Sequence, residues 1–313
     1  MTLRPSAAAA PTFVDLQVNG YAGVDFNQDD LSAADLQRVC RRLREDGVAV
    51  FLATIITDEL PRMEARLARI AAIRRQEPLV RDVLGGIHVE GPFISDLPGY
   101  HGAHPRELVR PASVDAMKRL LDAAEGLVRL VTLAPECDPG LKLVRYLADR
   151  NTLVSAGHCN PSLAELRAAV DAGLSLFTHL GNGCPTMLPR HDNIIQRALS
   201  LRDRLTICFI ADGVHVPSVA LANYLQLTGV ERTIVVTDAM AAASCGPGQY
   251  RLGRQTVEVG DDRIARAPNG SQLAGSTATM RHMATILRTE LRLSEEDVHR
   301  LLCDNSRRLL ADR

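Results

Sequence analysis

Residues 83–92 read VLGGIHVEGP, an apolar run that ends in an imidazole, a carboxylate and a Gly-Pro breaker. A buried strand accounts for the first part, and a loop at its carboxyl end for the second. The pattern recurs along the chain. Runs predicted as strands lie at 13–18, 48–56, 83–89, 128–133, 153–156, 174–178, 205–210 and 233–236. Helical patterns separate them at 32–45, 61–76, 113–124, 140–149, 162–172 and 218–228; Leu163, Leu166, Ala169 and Val170, for instance, share one helix face. Apolar strands alternating with amphipathic helices imply parallel βαβ units covered by helices. Eight such units predict an α/β protein with a closed (β/α)8, TIM-like barrel.

The 313 residues suit one barrel of roughly 250 residues with extra loops better than two domains. Residues 1–12, with a four-alanine run, are expected to be a flexible tail, and 13–313 a single barrel domain. Two stretches break the alternation. Residues 180–195 form a long polar loop after the sixth strand. Residues 246–274 read as a β-hairpin insertion, with arms at 249–259 and 263–267 turned at Gly260-Asp261-Asp262, ahead of a helix at 277–290. Loops of that length in a compact domain commonly serve as lids or binding loops. A last amphipathic helix is expected at 295–310.

Thirty-six basic residues against 37 acidic ones leave no excess to neutralise nucleic-acid phosphates, and the absence of Trp leaves little for base stacking. Seven scattered cysteines without a CxxC pair fit reduced thiols in a cytoplasmic protein, and no stretch is long and apolar enough to span a membrane. Lys118 and Lys142 are the only lysines, so an anion site would draw on Arg, His or backbone amides.

The residues at and just past the strand ends carry the chemistry. The first strand ends in DLQVNG (15–20) and the third in HVEGP (88–92). Pro135-Glu136 follows the fourth, Gly157-His158 the fifth and Thr178-His179 the sixth. Asp212-Gly213-Val214-His215 follows the seventh, and Thr237-Asp238 ends the eighth. In such barrels the carboxyl ends of the strands build the active site, so these residues gather at one rim. Glu90, His158 and His179 form a ligand set suited to a catalytic Zn²⁺ or similar divalent ion with a position left for water, whose pKa falls from about 15.7 toward about 7. Asp238 could take a proton from that water and return it to a leaving group, while His104 and His215 could hydrogen-bond substrate or polarise a carbonyl. Together they describe hydrolysis of an amide or related C–N bond. Glu136 fits a water, a metal or a neighbouring Arg equally well. Cys159 and Cys184 border the site, but a nucleophilic thiol would make Glu90 and Asp238 redundant.

At these residues the sequence resembles the N-acetylglucosamine-6-phosphate deacetylases of the amidohydrolase superfamily. The shared pieces are DLQVNG (15–20), HVEGPF (88–93), GAHP (102–105), LAPE (133–136), SAGH (155–158), THLGN (178–182), ADGVHV (211–216), VTDAM (236–240) and LAGST (273–277), in family order over about 13–310. The resemblance implies that Glu90, His158 and His179 bind the metal, Zn²⁺ first and Fe²⁺, Co²⁺ or Mn²⁺ as substitutes, and that Asp238 is the general acid/base. His104, Asn182, Gly183 and His215 would touch substrate, Leu273 and Ala274 would line the pocket, and Arg190 would match the phosphate-binding Arg, serving a neighbouring subunit in a homodimer built through 180–195. Where many superfamily members carry HxH and a second metal, this chain has Gln17 and Asn19, remnants of that position; neutral amides bind Zn²⁺ poorly, so one metal is expected. The family's small β-sandwich has no counterpart in these residues, since the barrel pattern begins near 13. The implied reaction is metal-dependent deacetylation of N-acetylglucosamine-6-phosphate, or its galactosamine epimer, to the amino-sugar phosphate and acetate. Two other readings stay open: cyclic-amide or deaminase chemistry at the same metal, and a sugar-binding barrel without catalysis.

Overall fold

In the computed structural model, which describes residues 12–267 and 273–311, eight strands pair side by side in sequence order. They are Phe13–Val18, Val48–Ile56, Leu84–Glu90, Val128–Leu133, Leu153–Ala156, Leu176–Phe177, Thr206–Phe209 and Thr233–Val235. Every neighbouring pair is parallel. The ring closes at one rim only: Val18 bridges Ala239, just past the last strand, and the Asn19 and Gly20 amides donate to the Ala239 carbonyl at 2.7 and 3.1 Å. The expected TIM-like barrel is therefore the observed fold. The expected tail lies, except for Thr12, outside the described residues.

Local sequence explains most boundaries. Ser32 caps the helix Ala33–Glu45 in a reciprocal box with Asp35, and Ser162 does the same with Glu165 for Leu163–Asp171. Leu36, Val39, Cys40 and Leu43 form the buried stripe of the first helix. Val83 ends a short helix, Pro78–Val83, instead of opening the third strand, because Pro78 supplies a favourable first helical position. The expected last helix is interrupted by a π-helical turn, Arg300–Asp304, between Glu295–His299 and Asn305–Ala311. Just beyond that turn the Asn305 amide donates to the carbonyls of Val230 and Thr233, both at 2.7 Å, tying the C-terminal helix to the last barrel strand. Among the described residues no helix is long and apolar enough to cross a membrane.

The insertion departs from a simple hairpin. Residues 249–259 are two strands, Gly248–Leu252 and Gln255–Val259, and Ala265–Arg266 adds a third. Gly253 makes the extra turn with φ +57°, its amide donating to Asp25 Oδ2 at 2.7 Å, while Arg254 pairs with Asp58. Leu252, Val257, Val259 and Ala265 pack with Ile56, Met240, Ala242 and Ala274 into a second small core, which seats the insertion against the barrel rim.

Polar residues also enter the barrel interior. His88 is fully buried, with Nε2 2.8 Å from Thr132 Oγ1, and burial lowers its pKa to about 4, so it is neutral. Asp15 bonds Thr237 Oγ1 at 2.5 Å and accepts its amide at 3.2 Å; burial outweighs these bonds and pushes its carboxyl up to about 7. A folded-state pKa above the unfolded value of 3.8 means that the stabilisation is complete below about 4 and is lost as pH rises through 7. Asp15→Asn removes that titration. Its melting temperature should fall less than the parent's between pH 5 and pH 8, by roughly 2–4 °C for each kcal/mol involved; equal slopes would show that Asp15 is not the group that titrates.

Candidate active site

The rim that closes the barrel also collects the strand-end residues. Glu90 is the last residue of the third strand, with its carboxylate oxygens inside the mouth; it is 2% exposed. His158 and His179 follow the fifth and sixth strands, both buried. Their Nε2 atoms lie 3.3 and 3.0 Å from Glu90 Oε1 and 3.1 Å from each other. Three donors around one divalent ion at about 2.0–2.2 Å would be about 3.3 Å apart, so this triangle has the size of one face of a tetrahedral site. His158 Nδ1 lies 2.8 Å from the Tyr100 carbonyl, which can only accept; the proton is therefore on Nδ1 and, in the neutral ring, the Nε2 lone pair faces the triangle. Burial opposes ionisation of Glu90, yet the hydrogen bonds and charge of His158 and His179 outweigh it and hold the carboxyl well below its usual range. Burial likewise opposes charge on His179, but Glu90 raises its pKa.

His104 approaches the same carboxylate, with Nε2 3.9 Å from Glu90 Oε2, and Glu90, His104 and His158 also offer donors within 4.8 Å of one another. Its tautomer sets it apart from the other two imidazoles. The Thr57 backbone amide donates to His104 Nδ1 at 3.3 Å, and Thr57 Oγ1 lies 2.7 Å from the same atom. An amide cannot accept, so the ring proton sits on Nε2, a donor directed at the site and no metal ligand. Burial, reinforced by His158, lowers its pKa to about 3 and keeps the ring neutral.

Asp238 is held from behind by two side-chain amides, Gln17 and Asn19. Asn19 Nδ2 donates to Asp238 Oδ1 at 2.7 Å, and Gln17 Nε2 donates both to that oxygen at 3.1 Å and to Glu90 Oε1 at 2.9 Å. Thr178 Oγ1 donates to Gln17 Oε1, which fixes the amide with its NH₂ toward the carboxylates and its carbonyl away from them. Both of these side-chain bonds to Asp238 fall on Oδ1. Burial and the nearby Glu90 raise the pKa of Asp238. His215 Nδ1 lies 2.7 Å from Asp212 Oδ2, and Asp212 also accepts the amides of Val214 and His215. Burial opposes charge on Asp212, but these bonds and the imidazole keep its pKa low, so it orients His215 as a fixed acceptor.

A cavity of 620 Å³ opens over these groups, within the usual range for small-ligand sites. Glu90, His158, His179, Asp238, His104 and His215 all face it. Asn182, Gly183 and Leu273 line it as well, and Asn182 Nδ2 is buried without a partner among the described residues. Ala274 is buried in the second core and does not reach the cavity; Arg190 is exposed and is not in its wall. The insertion contributes Arg266 to the wall, a residue that the strand-end pattern gives no reason to select. Thr57 is legible in principle, since it directly follows the second strand, the one strand whose end the sequence pattern leaves without a site residue. Glu136 accepts the Asn160 amide in the loop after His158, and burial pushes its carboxyl up to about 7. Cys159 and Cys184 are poor nucleophiles here, because burial raises both thiols. His158, His179 and Asp238 have φ of +51°, +30° and +49°, left-handed conformations that cost non-glycine residues of order 1–3 kcal/mol each. Such strain clustered at one rim marks a site where side-chain placement outweighs local stability.

No protein-family model matches the chain. The chain is 34% identical over 302 residues to N-acetylglucosamine-6-phosphate deacetylase of Bacillus subtilis (strain 168), covering 96% of this chain and 74% of that one. It is 32% identical to N-acetylgalactosamine-6-phosphate deacetylase of Escherichia coli O157:H7, covering 90% and 72%. Among solved structures, the D267A mutant of the Mycobacterium smegmatis N-acetyl-D-glucosamine-6-phosphate deacetylase, in complex with N-acetyl-D-glucosamine-6-phosphate, superposes with a TM-score of 0.87 at 32% identity, over 99% of this chain and 82% of that one. A 5-methylcytosine deaminase from Klebsiella pneumoniae, at 14% identity and a TM-score of 0.52, shares the fold alone. With a buried carboxylate–imidazole cluster at the barrel mouth, and with this level of identity over most of both chains, the protein belongs to the N-acetylglucosamine-6-phosphate deacetylase family of metal-dependent amidohydrolases.

Proposed function

We propose that the chain hydrolyses the N-acetyl group of an amino-sugar phosphate, N-acetylglucosamine-6-phosphate or its galactosamine epimer, to acetate and the free amine. What carries this assignment is the convergence of Glu90 Oε1 and the Nε2 atoms of His158 and His179 beside Asp238, in a cavity large enough for a hexose. Glu90, His158 and His179 would hold one divalent cation, with Zn²⁺ favoured by two imidazoles and a carboxylate and Fe²⁺, Co²⁺ or Mn²⁺ able to use the same donors. When bound, such an ion acts as a Lewis acid and makes a water acidic enough to ionise near neutral pH. Gln17 and Asn19 turn donor NH₂ groups toward the carboxylates, which suits one cation and not a second beside it.

The chain's own groups supply the proton transfers. Asp238, poised by burial at a raised pKa, takes the proton of the attacking water on Oδ2 and delivers it to the departing nitrogen, so that water and amide become acetate and amine. His104 donates from Nε2–H to the acetyl oxygen as negative charge builds there. His215, fixed by Asp212, stands ready for a sugar hydroxyl or the ring substituents. Free, unpaired cysteines throughout the described chain accord with a cytoplasmic setting.

Acetate release from N-acetylglucosamine-6-phosphate, N-acetylgalactosamine-6-phosphate and the two unphosphorylated sugars, with metal content measured on the same sample, tests the assignment. Turnover of a phosphosugar with about one metal per chain is expected; metal without turnover of any of the four sugars would overturn it. Asp238→Asn should lose on the order of 10²–10⁴ in kcat while retaining metal, and activity near the parent's would remove Asp238 from its role. Gly183→Ala probes the metal site differently. An added Cβ would come within 2.8 Å of His158 Nδ1 and 3.1 Å of His179 Cε1, at a backbone φ of +60°. Metal occupancy should fall with activity, and full occupancy would show that these rings do not hold the ion.

A further inference from the structure

Among the described residues, a second group of potential metal ligands lies outside the barrel mouth. The His299 imidazole, the Cys303 thiol and an Asp304 carboxylate oxygen fall within 4.8 Å of one another. His299 Nδ1 is 3.1 Å from Asp304 Oδ2. Two such donors bound at about 2.0–2.2 Å to one tetrahedral ion stand about 3.3 Å apart, so this edge already has the length of a metal site. The thiol needs only a side-chain adjustment to complete the triangle.

The π-helical turn Arg300–Asp304 is what brings the three together. In an α-helix, at 3.6 residues per turn, residues five apart point about 140° away from each other. On the uninterrupted helix that the sequence predicts over 295–310, His299 and Asp304 would therefore face different sides. The i→i+5 closure of a π turn brings them nearly into line, with Cys303 beside both. The surroundings admit a cation. Arg300 pairs with Glu231 at 2.6 Å and with Glu296 at 2.8 Å. Burial raises the pKa of the Cys303 thiol, Arg307 one turn on works against that rise, and a binding metal displaces the thiol proton to solvent. The His299 and Asp304 side chains are 47% and 55% exposed, so an ion can enter from water while the thiol stays covered. Asn305, the next residue, bonds the Thr233 carbonyl at the amino end of the last strand, whereas Asp238 lies past its carboxyl end. The cluster and the active site thus occupy opposite rims of the barrel.

We propose that His299, Cys303 and Asp304 form a second divalent-cation site, separate from the catalytic centre, for an ion that takes thiolate and imidazole together, Zn²⁺ or Co²⁺ foremost. Three protein ligands leave a tetrahedral position to water, and the bound ion pins the π turn to the helices on either side. A second equivalent of metal then binds without a binuclear active centre. None of this depends on the deacetylase assignment. Co²⁺ reports the site selectively, because a thiolate ligand gives it a near-ultraviolet charge-transfer band that carboxylate and imidazole ligands do not. Titration of the intact, Zn²⁺-loaded protein with Co²⁺ should raise this band to saturation at about one added equivalent per chain, the count set by a single three-ligand site. Cys303→Ser should abolish it. His299→Ala and Asp304→Asn, changes at exposed side chains, should each weaken Co²⁺ binding roughly 10- to 100-fold, the range that loss of even an outer-shell partner produces. If Cys303→Ser fails to fold, these two variants decide the question. A parent without the band, or Co²⁺ affinity unchanged in both His299→Ala and Asp304→Asn, would overturn the proposal. So would a band that survives Cys303→Ser, which would assign the ion to another of the seven cysteines.

Discussion

A carboxylate kept charged in the buried mouth of the barrel is the constraint on which the site depends. Burying an ion costs several kcal/mol unless partners replace its water, and Glu90 is 2% exposed. Its Oε1 is surrounded by the Gln17 amide and the imidazoles of His158 and His179. Two of those partners are fixed in turn: Gln17 by Thr178 and His158 by the Tyr100 carbonyl. Any cation that enters between Glu90, His158 and His179 meets side chains already held in place, so the cost of ordering the site is met during folding. The left-handed backbone at His158 and His179 is part of that cost.

The same network joins the proposed metal ligand to the proposed base. Gln17 donates to Glu90 and to Asp238 through one NH₂ group, so the proposed ligand and the proposed base share a donor. Asp238 also lies where the barrel closes, between the Val18–Ala239 bridge and the Ser276 ladder that carries the insertion. First strand, last strand and insertion therefore meet within a few residues of the base. Closure of the ring and placement of the base are one structural event, which explains how a short three-stranded excursion can reach a cavity set up by the barrel.

The strand-and-helix alternation was readable because a barrel repeats one local pattern eight times, and errors at single boundaries, such as Val83, leave the repeat intact. Glu90, His158, His179, Asp238, His104 and His215 were readable because ligand-capable residues at strand ends must share a rim. The fine structure of the insertion was less so. Gly253 turns the chain where the sequence pattern predicts an uninterrupted arm, and its amide is held by Asp25, 228 positions away.

By itself, then, the sequence determined the α/β barrel, the rim and the residue types that meet there, since hydrophobic periodicity and strand-end position are local properties of the chain. Only the tertiary structure decided what each group can do. That His104 presents an N–H and not a lone pair follows from the Thr57 amide, 47 positions away. That Gln17 braces two carboxylates follows from a threonine 161 positions away. That Arg266 enters the cavity and Arg190 does not follows from how the insertion docks. Tautomer, amide orientation and the reach of a guanidinium are set by partners distant in sequence, and no local pattern encodes which partner the fold will bring.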